Sequence, residues 1–274
     1  MNPIDRALSR ATQLLSAISD TPRLDAELLM AAALGIGRDR LILDPPSGDP
    51  PPAFADHVDR RATGEPVAYI TGVRGFWTID LEVGPGVLVP RPDSETLIAA
   101  AVDHFAGTSG PRRILDLGTG PGTLLLAALD QWPDATGLGV DSSTIALAYA
   151  QRNAERLGLA GRAAVQLGDW AGDLIARFDL VLCNPPYVAR SAATGPGVAD
   201  HEPHAALFAG DDGLDDYRRL APQIGRLLAA EGLAAIEIGH DQGGGAAALF
   251  AAEGLASTLA HDLAGHPRAL LIYG

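Results

Sequence analysis

The sequence predicts an α/β fold: a doubly wound, mostly parallel sheet of seven strands with the last strand antiparallel, preceded by a small helical domain and a β-hairpin. Three observations lead there. Beyond residue 111, short apolar runs alternate with helical stretches. The first 43 residues carry apolar side chains at spacings of three and four, and between residues 76 and 89 the period changes to two.

The N-terminal segment places Ile4, Leu8, Leu14, Leu15 and Ile18 on one helical face, and a second helix starts after Pro22. The Pro-rich run over 44–52 breaks that pattern, because proline lacks the N–H that a helix or central strand needs. A further helix over 53–62 stops at Thr63-Gly64. In the period-two stretch, Phe76, Thr78, Asp80 and Glu82 alternate with Trp77, Ile79, Leu81 and Val83, and Gly84-Pro85-Gly86 reads as the turn. Asp93 is read as the N-cap of a helix presenting Leu97, Ile98, Ala101 and Val102. Strands are expected at 113–117, 136–140, 164–167, 180–183, 233–238, 256–260 and 269–273, with helices near 122–131, 143–157, 213–230 and 241–253. The last two strands are joined by residues 261–268, too few for a helical crossover, so they should pair antiparallel at one edge. The organisation is therefore 1–74 helical, 75–90 hairpin linker and 91–274 the α/β domain.

Aromatic residues make up only 5% of the 274, so Ala, Leu, Val and Gly must build the core, which suits helices lying close on a parallel sheet. The net charge is −14, from 20 Arg (there is no Lys) against 34 acidic residues. Both parts are acidic, −4 over 1–85 and −10 over 86–274. A protein that grips duplex nucleic acid neutralises phosphates with a basic face. A protein or small-molecule partner fits better. One cysteine, Cys183, excludes an internal disulfide and any multi-cysteine metal site. The N-terminus lacks the apolar run of a signal peptide, and no run of about 18 uncharged apolar residues occurs, so the expected location is the cytoplasm, away from membranes.

Chemistry concentrates at strand ends. The run Ile-Leu-Asp-Leu-Gly-Thr-Gly-Pro-Gly over 114–122 ends the first strand of the sheet and opens a helix. Its glycines let the backbone turn sharply and approach a ligand. Asp141 closes the next strand, where a carboxylate can accept both ribose hydroxyls of an adenosine. These two features point to a nucleoside cofactor without separating a dinucleotide from S-adenosylmethionine. Asp169 and Trp170 close the third strand, where they suit an adenine ring and its exocyclic amine. The fourth strand ends in Asn184, Pro185, Pro186 and Tyr187. An amide or aryl amine nitrogen is a poor nucleophile because its lone pair is delocalised. A site accepting both of its N–H bonds, on the Asn184 side-chain oxygen and the Pro185 carbonyl, holds that lone pair in line for transfer. Tyr187 would cover the planar substrate group.

Asn-Pro-Pro-Tyr over 184–187, following Asp-Leu-Gly-Thr-Gly over 116–120, resembles the class I (Rossmann-like) methyltransferases acting on planar nitrogens. Gly-Glu-Pro-Val-Ala-Tyr-Ile-Thr-Gly over 64–72, Phe76-Trp77, Pro-Arg-Pro-Asp-Ser-Glu over 90–95 and Gly-Leu-Asp-Asp-Tyr-Arg over 213–218 narrow the resemblance. From about residue 5 onward the chain is similar to the release factor glutamine methyltransferases, the PrmC/HemK family. The resemblance implies methyl transfer from S-adenosyl-L-methionine to the glutamine of the Gly-Gly-Gln loop in class I release factors. Every donor-contact candidate lies beyond residue 115 and the helical segment has its own apolar periodicity, so 1–74 is expected to dock the protein substrate. It also implies that Gly118, Thr119, Gly120, Pro121 and Gly122 line the methionine part of the donor. Asp141 would hold the ribose and Trp170 would sit near the adenine. Asn184, Pro185, Pro186 and Tyr187 would hold the glutamine, with Asn184 also near the donor. Pro121 departs from the small polar residue or Ala more common there, removing one backbone N–H, and His201 stands where an aromatic is common.

Other residues read plainly. Cys183, inside an apolar strand, is a buried small side chain. His201, Glu202 and His204 lack metal-ligand spacing, so no metal site is expected. Asp211, Asp212, Asp215 and Asp216 read first as a solvated helix start and second as a surface for a basic partner. Arg91 and Glu95 fit a structural pair near the hinge as well as substrate contacts. The rival functions are a glutamine methyltransferase of a ribosomal protein, an adenine-N6 DNA methyltransferase, an NAD-dependent dehydrogenase and a non-catalytic binding protein. The DNA enzyme needs a basic face that this composition lacks, and the dehydrogenase leaves Asn184 and its prolines unexplained.

Overall fold

The computed structural model describes residues 2–172 and 174–274. By packing, the chain forms two compact units: Met1–Val73, Val83–Pro85 and Ala193–Glu202 in the first, and Arg74–Glu82, Gly86–Ala192 and Pro203–Gly274 in the second.

The first unit contains α1 (Pro3–Leu15), α2 (Pro22–Leu34), α3 (Arg38–Leu43), α4 (Pro52–Ala62) and α5 (Val67–Thr71). Proline stands in the first turn of α1, α2 and α4, where its missing N–H costs nothing. The side chain of Asn2 caps α1 by accepting from the Ile4 N–H at 3.2 Å. Ile4, Leu8, Ala11 and Leu15 bury one face of α1 against Leu29, Met30, Phe54, Val58 and Ile70. Leu14, expected on that face, is 54% exposed, because it lies one position off the four-three-four spacing that these residues follow. Arg61 pairs with the buried Asp25 at 2.8 Å, which supplies the partner a buried carboxylate requires. Residues 193–202 join this unit close to the α4–α5 turn, where a Cβ on Gly64 would stand 3.2 Å from the Gly197 Cα.

The hairpin is shorter and earlier than the alternation indicates. Its strands are β1 (Val73–Phe76) and β2 (Ile79–Glu82), turned at Trp77-Thr78 and not at Gly84-Pro85-Gly86. Phe76, Ile79, Leu81 and Val83 are buried, so the buried phase slips by one residue across the turn. A two-residue turn puts its flanking residues on one face, and this slip is its mark. Trp77 takes the left-handed φ of 54°, with its N–H held by a Glu95 carboxylate oxygen at 2.9 Å.

Asp93 does not cap the following helix. Pro92–Ser94 form a 3-10 turn and α6 begins at Glu95 (Glu95–His104), while Asp93 pairs with Arg268 at 3.0 Å. The proline-led turn moves the helix start one residue on.

The main sheet consists of β3 (Arg113–Leu117), β4 (Thr136–Asp141), β5 (Ala163–Leu167), β6 (Phe178–Cys183), β7 (Leu228–Glu237), β8 (Ser257–His261) and β9 (Pro267–Tyr273). Their order is β5-β4-β3-β6-β7-β9-β8; the first five are parallel, and β9 runs antiparallel between β7 and β8. The remaining helices are α7 (Thr123–Gln131), α8 (Thr144–Arg156), α9 (Val198–His201), α10 (Asp215–Leu227) and α11 (Gly243–Ala252). Strand β7 starts at Leu228, not 233, since it continues through an irregularity at Glu231 (φ 62°) that interrupts its apolar pattern. Leu115, Leu117, Val181, Ile236, Tyr217, Ile224 and Phe250 build the core between β-sheet and helices.

Candidate active site

Strand order sets the site. The chain runs outward from β3 to β4 and β5, then returns to place β6 on the other side of β3. At such a reversal the loops leaving adjacent strands part and open a crevice at the carboxyl ends. Leu117 is in register with Cys183 and with Val140, and Cys183 in turn with Ile236. Gly118, Asp141, Asn184 and Glu237 therefore leave the sheet on one rim.

The loop after β3 is held from below. Asp116 is 1% exposed, and its Oδ2 accepts from the Thr119 hydroxyl at 2.7 Å and the Leu125 N–H at 3.1 Å. Its Oδ1 has no hydrogen-bond partner among the described residues, and burial pushes the carboxyl up to about 7. Thr119 is thus turned inward, holding the loop. Gly118, Gly120 and Gly122 have φ of 72°, 57° and 88°, which side chains with a Cβ rarely adopt. A Cβ on Gly118 would also stand 3.3 Å from the Trp170 ring, whereas one on Gly122 would meet Leu126 at 2.7 Å. Gly122 therefore serves the packing of α7, and Gly118 leaves the crevice open. The Pro121 carbonyl accepts from the buried Asn153 amide at 2.9 Å, which fixes the loop from α8.

Asp141 is oriented by two backbone donors, Gly120 N–H on Oδ2 and Ser143 N–H on Oδ1, both at 2.8 Å. Trp170 has the left-handed φ of 51°, a conformation that costs a bulky residue energy and places its ring over Gly118. Asp169 is engaged by Arg219 at 2.6 Å. Arg219 also reaches Asp216 at 3.2 Å, a half-buried carboxylate raised from its ordinary value chiefly by burial. Together these residues surround a cavity of about 480 Å³, lined by Gly118, Gly120, Asp141, Trp170, Asn184 and Pro186 among others. A smaller cavity of about 40 Å³ adjoins it and is lined by Asp116, Gly118, Thr119, Gly120, Pro121 and Asn184. Asn184 borders both.

The Asn184 amide nitrogen donates to the Ser94 hydroxyl at 3.0 Å. Pro185 is buried, and the Tyr187 hydroxyl donates to Glu237 Oε1 at 3.2 Å. The Tyr187 carbonyl accepts from Gln242 at 2.9 Å. Cys183 is fully buried, and burial raises its thiol well above the usual range.

Two family descriptions match the chain: "PrmC N-terminal domain" over residues 6–72 and "Methyltransferase small domain" over residues 94–201. The release factor glutamine methyltransferase of Caulobacter vibrioides is 43% identical, over 92% of this chain and 89% of that one. That of Rhodospirillum rubrum is 44% identical, over 98% and 84% respectively. The chain belongs to the release factor glutamine methyltransferase family. Solved structures agree on the fold alone. A ribosomal protein L11 methylase from Lactobacillus delbrueckii superposes with a TM-score of 0.51 at 21% identity, over 70% of this chain and 83% of that one. The Thermus thermophilus 16S rRNA N2 G1207 methyltransferase, in complex with AdoMet and guanosine, gives 0.53 at 20% identity, over 73% and 49%.

Within this methyltransferase, sequence reading missed the roles of Ser94, Asn153 and Glu237, and took Asp216, which lines the larger cavity, for part of a solvated helix start. Glu237 had a visible signal: a lone carboxylate in the apolar run Leu-Ala-Ala-Ile-Glu-Ile over 233–238. Asn153 and Ser94 had none, since each acts through a partner distant in sequence.

Proposed function

We propose that this chain transfers a methyl group from S-adenosyl-L-methionine to the side-chain N5 of the glutamine in the Gly-Gly-Gln motif of class I peptide chain release factors. The observation that carries the proposal is Asn184, which borders both cavities at the reversal of the sheet, in a chain so similar to enzymes named for that reaction. The donor's chemistry is a methyl group on a positively charged sulfur, open to attack by a nitrogen lone pair. The residues fit such a donor. A cavity of about 480 Å³ is of the size that takes molecules of this class, and the space beside Gly118 is one that a Cβ would fill. Asp141, oriented by one N–H group on each of its oxygens, is the carboxylate for the ribose, and the Trp170 ring is the apolar wall for the adenine. Gly118, Thr119, Gly120, Pro121 and Gly122 form the loop against the methionine part; Pro121 gives up a donor N–H there, and Asn153 keeps its carbonyl in place.

On this reading Asn184 Oδ1 and the Pro185 carbonyl accept the two N–H bonds of the glutamine amide. The lone pair would then point at the methyl carbon; the N–C bond would form as the methyl–sulfur bond breaks, leaving a neutral thioether, and one N–H proton would pass to solvent. Pro186 and Tyr187 hold the glutamine with them, and the two prolines keep this segment rigid and extended. Residues 1–74 serve as the docking domain, 75–90 as a hairpin linker and 91–274 as the methyltransferase domain. A glutamine on a loop offers little area, so affinity for the partner comes from a second contact.

Mass spectrometry of a purified release factor, incubated with the full chain and S-adenosylmethionine, should show one added methyl on the Gly-Gly-Gln glutamine. An unmodified glutamine would overturn the proposal. The same assay on a short Gly-Gly-Gln peptide should run far more slowly and lose little more as salt rises, whereas the rate on the whole factor should fall with salt.

A further inference from the structure

Both ends of the Asn-Pro-Pro-Tyr segment lead to one buried carboxylate. Glu237 is wholly buried at the end of β7, where the register of β6 and β7 sets it beside Asn184. Its Oε1 accepts from the Tyr187 hydroxyl, its buried Oε2 has no hydrogen-bond partner among the described residues, and the Ser94 hydroxyl is the first of the groups that offset its burial. Ser94, itself 2% exposed, accepts the Asn184 amide nitrogen at 3.0 Å.

We infer that Glu237 and Ser94 are positioning residues that set which end of the Asn184 amide faces the substrate; this rests on the reading of Asn184 as the acceptor for the glutamine N–H. A primary amide has a donating and an accepting end of nearly equal size, so sterics alone do not choose between them. An ionised Glu237 can only accept. The Ser94 proton therefore turns toward Glu237, and the Ser94 oxygen is left to accept. The Asn184 group facing it must be the NH2, so Oδ1 points into the site. Once Glu237 is protonated, it can donate to Ser94, the hydroxyl can turn to donate to Asn184 Oδ1, and the amide reverses. The NH2 then meets the substrate N–H bonds, donor against donor.

The groups around this carboxylate are Tyr187, Tyr217 on α10, Cys183 on β6, Arg268 on β9 and Asp93 in the 3-10 turn. Burial is the largest influence and pushes Glu237 up to about 7, with the Ser94 and Tyr187 hydroxyls and Arg268 opposing it. The switch of polarity thus falls where enzymes are assayed.

The test uses the full chain with Glu237→Gln, Ser94→Ala, Ser94→Thr and Asn184→Ala, reading kcat across pH 5.5–8.5 beside calorimetric donor affinity. In the unaltered chain kcat should fall on the acid side of about 7. In Glu237→Gln, whose amide can donate to Ser94, kcat should drop about tenfold to a hundredfold and this acid limb should vanish, with donor affinity within about twofold. Ser94→Ala should lose a similar factor and Ser94→Thr, which keeps the hydroxyl, should recover most of it. Retained donor binding shows that these variants fold. If Asn184→Ala abolishes turnover while Glu237→Gln and Ser94→Ala keep the full rate and acid limb, the inference is overturned and the role of Asn184 stands. If Asn184→Ala is itself fully active, both fall. A loss of donor affinity equal to the loss of kcat in Glu237→Gln would also overturn it.

Discussion

Asn184 and Asp141 stand on the same rim and border the same cavity, yet their surroundings give them different work. Asp141 has both oxygens already engaged by backbone N–H groups, which fixes a negative charge with lone pairs to spare. Asn184 has its amide nitrogen engaged and its oxygen available. The expected outcomes are opposite. Asp141→Ala should weaken donor binding about tenfold to a hundredfold, the loss of one or two charge-assisted hydrogen bonds, with a smaller effect on kcat at saturating donor. Asn184→Ala should lower kcat about a hundredfold while calorimetry with donor alone changes little, because its acceptor matters most as the amide reacts. Equal losses of binding and turnover in both variants would remove the distinction.

At the scale of elements, the Gly-rich loop is secured by helix α8 through one side chain. Asn153 is fully buried; it accepts from the Glu82 N–H at 2.7 Å and donates to the Glu82 and Pro121 carbonyls at 3.0 and 2.9 Å. Strand β2, helix α8 and the loop after β3 are thereby tied at one point. Asn153→Ala would leave one N–H and two carbonyls without partners in the interior, at a cost of about 2–4 kcal/mol. Denaturant unfolding should show that loss. Donor affinity should fall by up to about tenfold as well, since Pro121 is released beside the smaller cavity. A variant with the full loss of stability and unchanged donor affinity would mean that the loop holds its shape without the tie.

For the whole molecule, two sets of carboxylates oppose each other in their dependence on pH. Asp116 and Glu237 are raised by burial to about 7, so between the unfolded values near 4 and pH 7 the native state keeps protons that the unfolded chain has released. Their contribution to stability is complete below the unfolded values and is lost as pH rises through about 7, on the order of 3–4 kcal/mol each at most. Glu65 is lowered first by its hydrogen bond to Arg60. Glu27 is lowered overall because Arg23 and Arg38 outweigh its burial. These two stabilise above the unfolded values and lose that contribution as pH falls. The melting temperature should accordingly be highest near pH 5 and decline toward pH 8. In Glu237→Gln the decline between pH 5 and 8 should be shallower, and an unchanged slope would count against a raised carboxyl at that position.

What the sequence determined by itself is whatever local chemistry repeats along the chain. Alternating apolar strands and helices gave the doubly wound sheet, the short link over 261–268 gave its antiparallel end, and apolar spacing gave the N-terminal helices. The glycines of the loop after β3, Asp141, Trp170 and Asn184 were legible as candidates because the stretches around them are short, unusual and placed at strand ends. Tertiary structure decided what depends on partners distant in sequence. It placed the hairpin turn at Trp77-Thr78, since alternation persists across a two-residue turn and only the buried phase reveals the slip. It gave Asp93 to Arg268 across the sheet, although a local rule made it a cap. It joined Asn184 to Ser94, 90 positions away, and Tyr187 to Glu237, 50 positions away. Sequence patterns carry the periodicity of elements, whereas hydrogen bonds between buried side chains depend on strand order and register, which no local pattern encodes.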